Sequence, residues 1–106
     1  MCYPQLEKMS AAYADLFVHS VWGTFARTSV VSASIERPLY AAIAEKCREL
    51  RCAPLAIGGM TDHIHLLAAL SPTVAVATLV KEIKGASAHL VTHRLAPDTV
   101  FRWQTG

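Results

Sequence analysis

An α+β sandwich, with one antiparallel sheet and two helices on a single face, is the fold class this sequence predicts. Three observations carry that expectation. Two stretches repeat apolar residues at helical spacing, four runs are rich in strand formers, and the breaks between them order the elements as βαββαβ. The 106 residues form one domain, 1–106, with no length left for a second. With 53% hydrophobic and 17% charged residues, the chain can build a sizeable core and is not dominated by disorder.

The elements follow in order. Leu16 to Phe25 (LFVHSVWGTF) reads as a strand, apolar enough on both faces to suggest burial on both sides. Ala26 to Ser34 is a small, polar-leaning connection. From about Ile35 to Leu50 the residues Leu39, Ile43, Cys47 and Leu50 recur at helical spacing, and Pro38 suits the first turn, where its missing N–H costs nothing. Ala53 to Ile57 is a short strand, followed by Gly58-Gly59, which permits backbone geometry that other residues resist. His63 to Leu70 (HIHLLAAL) is a third strand, reached through a tight connection at Met60 to Asp62 and broken by Ser71-Pro72. Leu79, Ile83, Ala86 and Leu90 mark a second helix over about Val76 to Arg94, which Pro97 ends. Val100 to Gln104 begins a fourth strand, cut short by the chain end. Two split βαβ units of this kind make the ferredoxin-like sandwich, an architecture that hosts many activities and leaves function open.

Bulk properties narrow the function classes only a little. A net charge of +2 permits nucleic-acid binding without arguing for it. Cys2, Cys47 and Cys52 are odd in number and read as free thiols rather than a disulfide framework. The first ten residues lack an apolar signal core, and no run approaches the roughly 18 apolar residues of a membrane helix. The expectation is a cytoplasmic protein with no membrane partner.

The sharpest local feature is Asp62-His63-Ile64-His65. Side chains alternate along a strand, so both imidazoles share one face while Ile64 points to the other, under the helices. Two imidazoles on one face make half of a metal site, to be completed by further ligands or water. Taken alone, such a pair is more often two exposed polar positions. Asp62 reads first as a turn residue, with orienting a histidine or ligating the metal directly as the alternatives.

The stretch Ala56-Ile57-Gly58-Gly59-Met60-Thr61-Asp62-His63-Ile64-His65-Leu66-Leu67 resembles the motif of single-tyrosine, histidine–hydrophobe–histidine transposases of bacterial insertion sequences and their repeat-associated relatives. Three more segments fit in order. Val18-His19-Ser20-Val21-Trp22-Gly23-Thr24 looks like that family's first strand, and Leu79 to Ser87 (LVKEIKGAS) like its second helix. Phe101 to Gly106 (FRWQTG) looks like the start of its fourth strand. The resemblance runs from about residue 16 to 106.

What the resemblance implies is specific. A divalent cation, magnesium or manganese with zinc or nickel as adventitious occupants, would sit on His63 and His65 with Asp62 behind them. It would polarise a phosphate in single-stranded or hairpin DNA. A tyrosine would attack and hold the 5′ end covalently, in a homodimer within a bacterial or archaeal cytoplasm. The family's tyrosine lies on a helix after the fourth strand, so its counterpart is expected beyond Gly106; Tyr3, Tyr13 and Tyr40 match no catalytic position. Thr61 replaces the proline that commonly precedes the aspartate. Lys81, Lys84, Arg94 and Arg102 are candidate phosphate contacts, with a solvated helix face as the plain alternative. Of the family's basic run after the first strand only Arg27 remains. His19 and Trp103 match family positions that packing alone explains, and Gln104 stays open. His89 and His93, four apart on the second helix, read as partly exposed side chains, with chelation of an adventitious metal as the alternative. The rival to a DNA strand transferase is a non-catalytic hairpin-binding module derived from one. A sheet-based RNA binder fits poorly, since no matching aromatic motif is present.

Overall fold

The computed structural model describes residues 16–97 and 101–105. The order β1 (Leu16–Gly23), α1 (Ala33–Glu49), β2 (Ala53–Met60), β3 (His63–Leu70), α2 (Val76–Leu90) follows the pattern expected from the sequence. The sheet is antiparallel in the order β1-β3-β2, so β3, with the two histidines, is the central strand. Cys2, Tyr3 and Tyr13 lie outside the described residues.

Helix α1 forms because Ile35, Leu39, Ile43 and Cys47 fall on one buried stripe. It starts two residues earlier than the periodicity indicates, so Pro38 sits in its second turn rather than its first. The missing N–H there leaves the carbonyl of exposed Ser34 to water, which keeps the break tolerable. The helix ends in a Schellman turn. Cys52 N–H reaches the Cys47 carbonyl at 2.8 Å, Arg51 N–H reaches Arg48 at 2.9 Å, and Arg51 takes the left-handed φ of 61° usually given to glycine. Cys47 and Cys52 are both buried free thiols. Burial pushes the Cys47 thiol up to about 11, so it stays protonated and serves as core filling.

In α2 the buried stripe is Leu79, Ile83 and Ser87, where Ala86 rather than Ser87 was expected from the pattern. Ser87 is tolerated inside because its hydroxyl donates to the Ile83 carbonyl at 2.7 Å and accepts the Trp103 indole N–H at 2.9 Å. A π-type turn, Val91–Leu95, closes the helix and buries Val91.

The sheet face beneath the helices carries Trp22, Ile64, Leu66 and Ala68, all in the core. Among the described residues the other face is open. Phe17, Val21, Met60 and Leu67 are exposed there, which corrects the expectation that β1 is buried on both sides. Apolar content along β1 does not reveal burial, since no described element covers that face.

Among the described residues the fourth strand is reduced to one antiparallel bridge, Thr24 to Trp103, flanked by Phe25 N–H to Arg102 O and Gln104 N–H to Gly23 O. The reason lies in register: residues 101 and 102 fall opposite the point where β1 has ended and the chain turns through Ala26 and Arg27 at φ 56° and 55°. Among the described residues the ladder therefore stays short. Phe101 and Trp103 still bury their rings, and Trp103 meets Trp22 edge-on at 6.0 Å.

Candidate functional site

On the open face, β3 alternation places His63 and His65 side by side, with ring centroids 5.1 Å apart, and Ile64 fully buried between them on the other side. The register sets His63 against Gly23 and Met60, and His65 against Val21 and Gly58. Glycines stand at two of these four positions; a Cβ at Gly23 would press on the Arg27 side chain at 3.1 Å, whereas one at Gly58 would meet nothing within 4 Å.

The turn before β3 is pinned from outside the hairpin. Thr24 N–H donates to the Asp62 carbonyl at 2.9 Å, and Val31 N–H donates to the Thr61 carbonyl, also at 2.9 Å. With its backbone held, Asp62 turns its carboxylate two ways: Oδ1 lies 2.7 Å from His63 Nδ1, and Oδ2 lies 3.3 Å from Arg27 Nε. These hydrogen bonds, His63 first and then Arg27, hold the Asp62 carboxyl below its usual range. An ionised carboxylate accepts, so His63 Nδ1 carries a proton, and in the neutral ring the lone pair is then on Nε2. His65 Nδ1 is engaged as well, 3.0 Å from Nε2 of His19.

A cleft of about 480 Å³ gathers Arg27, His63, His65, Lys84, Gln104 and Thr105 beside Val21, Trp22 and Gly23. Lys84 Nζ donates to the Gln104 carbonyl at 2.6 Å and bridges α2 to the last described segment. Arg27 reaches the cleft because Ala26 and Arg27 both hold left-handed backbone, a strain of about 1–2 kcal/mol per residue that the surrounding hydrogen bonds must sustain.

The basic residues expected at DNA fall into two groups. Lys84 lines the cleft and, with Lys81, Ala77 and Val80, a second pocket of about 390 Å³. Arg94 is exposed on the closing turn of α2 and is not among the cleft residues. Arg102 stacks over Phe25, its guanidinium carbon 4.2 Å from the ring centroid, also outside the cleft lining. The His89 and His93 rings lie against each other near the end of α2, centroids 4.2 Å apart and tilted by 44°. His19, which packing alone was expected to explain, is instead exposed on the histidine face; the strand alternation of β1 was the signal that could have placed it.

Among the described residues no set of three or more His, Cys, Asp or Glu side chains is placed to hold a metal ion. The donor chemistry at His63 and His65 nevertheless suits a cation as a two-imidazole half-site, because both Nδ1 atoms are occupied and Nε2 is the nitrogen left on each ring.

A family model described as "Transposase IS200 like" matches residues 12–106. A solved structure of a candidate transposase from Deinococcus radiodurans R1 superposes with a TM-score of 0.71 at 22% identity, covering 91% of this chain and 82% of that one. That likeness supports the fold. Among curated protein sequences none matches.

Proposed function

The chain belongs to the IS200-like transposase family, and from that premise we propose that His63 and His65 hold one divalent cation against a phosphate of single-stranded or hairpin DNA. The working ion would be magnesium or manganese, and the reaction metal-dependent cleavage and rejoining of the strand. Supporting this reading is one observation above the rest: two adjacent imidazoles on an open sheet face, each with Nδ1 engaged and Nε2 left over. When bound, the cation would supply Lewis-acid polarisation of the scissile phosphate.

The chain's own residues do the rest. Asp62 fixes the His63 tautomer and ring orientation, and Arg27 holds Asp62 in turn. Arg27 spends only Nε on Asp62, so its terminal nitrogens remain for a phosphate oxygen entering the cleft. Lys84 lines the same cleft and adds a second positive charge, and Lys81 extends the basic surface along α2.

Tyr40 does not fit as the attacking group. It packs against the core from α1, on the helix side of the sheet, and burial raises its hydroxyl pKa further. The nucleophile is therefore expected from outside the described residues. In calorimetric titration with manganese, the wild-type chain should take up one ion, and the chain carrying both His63→Ala and His65→Ala should take up none. Equal uptake by the two would sink the assignment.

We further propose that the chain works as a homodimer. β1 pairs with β3 along one edge, while among the described residues its outer edge is bonded only at Gly23, next to the Thr24–Trp103 bridge, so a pairable edge remains, with Phe17 61% exposed near its start. Light scattering at micromolar concentration should give twice the 11.5 kDa chain mass. A monomer mass would contradict it.

A further inference from the structure

We propose that His19 is a positioning residue for His65, setting which of its ring nitrogens is free, much as Asp62 does for His63. The inference rests on the reading of His63 and His65 as a metal half-site and deepens it by one residue.

Register is the starting point. His19 stands opposite Leu67, and Val21 stands opposite His65, so His19 and His65 are diagonal neighbours on the same sheet face. Diagonal pairs lie within reach of long side chains. Here the contact is made: Nε2 of His19 is 3.0 Å from Nδ1 of His65, and the ring centroids are 5.2 Å apart. On the other flank of His65 the opposing residue is Gly58, which offers no side chain, and Val21 is apolar. Among the described residues His19 is thus the one side chain that hydrogen-bonds the His65 ring.

The chemistry gives the contact a direction. A neutral imidazole coordinates through the nitrogen that lacks a proton. For His65 to offer Nε2, its proton must sit on Nδ1 and be donated to His19 Nε2, so His19 keeps its own proton on Nδ1. Both histidines of the pair are then held in one tautomer from behind, His63 by a carboxylate and His65 by a neutral ring. His19 itself touches neither cation nor substrate in this scheme. Its exposure means that replacing it leaves the core intact.

The test compares wild type with His19→Ala and His19→Gln, whose side-chain oxygen can still accept from Nδ1. Nitrogen-15 NMR of the metal-free protein, above the histidine titration range, reads the His65 tautomer directly. Wild type and His19→Gln should show the proton on Nδ1, and His19→Ala should show a mixture. Manganese affinity should fall about 10- to 100-fold in His19→Ala and recover in large part in His19→Gln. A His65 tautomer that ignores His19→Ala overturns the proposal even if wild type binds manganese. If wild type binds no manganese but the tautomer still follows His19, the positioning role stands and the metal reading falls.

Discussion

Replacing Ile64 by aspartate is expected to leave the chain without a cooperative thermal transition. Ile64 is fully buried and lies between the two histidines in sequence, on the opposite face of the sheet, within the core that includes Leu66, Leu79 and Ile83. The substitution removes roughly 1.5–3 kcal/mol of apolar burial and adds a desolvation penalty of several kcal/mol for a carboxylate with no partner. A domain of this size is stable by only about 5–15 kcal/mol, so the two losses together consume most or all of it. Ile64→Val keeps the shape and polarity and should cost about 0.5–1.5 kcal/mol, with manganese uptake unchanged. Circular dichroism on heating distinguishes them. An Ile64→Asp chain that melts cooperatively near the wild-type temperature would mean that Ile64 does not face the core. In that case the histidines would not face out.

Gly59→Ala is the second large effect, and Gly58→Ala is its control. Gly59 holds φ at 155°, and a Cβ there would fall onto the His63 carbonyl oxygen and come within 3.0 Å of Ile64 Cα. Both obstacles are backbone of the partner strand, so the hairpin must open to make room. Strain of this kind amounts to about 1–3 kcal/mol, and the ladder bonds disturbed beside it add to that. Because the displaced residue is His63 itself, manganese affinity should fall along with stability. At Gly58 a Cβ would meet nothing within 4 Å, so alanine there should stay within about 0.5 kcal/mol of wild type. Urea unfolding of both variants measures the contrast. Equal midpoints would show that Gly59 does not need its glycine.

These two sites also mark where sequence reading stops. That Ile64 is buried while His63 and His65 share a face follows from the two-residue repeat of a strand, a local rule that needs no partner. The glycine pair could be read as conformationally permissive, but only the pairing of Gly59 against Ile64 decides which glycine is indispensable.

The sequence by itself determined the element order, the stripes of α1 and α2, the histidine pair on β3 and, through four ordered motifs, the family. Each of these is written in short-range periodicity or in contiguous residues. The tertiary structure alone decided what stands behind and around the pair. His19 meets His65 across 46 positions, Arg27 meets Asp62 across 35, and Lys84 meets Gln104 across 20. Among the described residues it also decided that one face of β1 stays open and that the fourth strand shrinks to a single bridge. The physical reason is common to all of them. Periodicity tells a side chain which face of its own element it occupies, whereas register between strands and the left-handed turn at Ala26 and Arg27 tell it which neighbour it will find there.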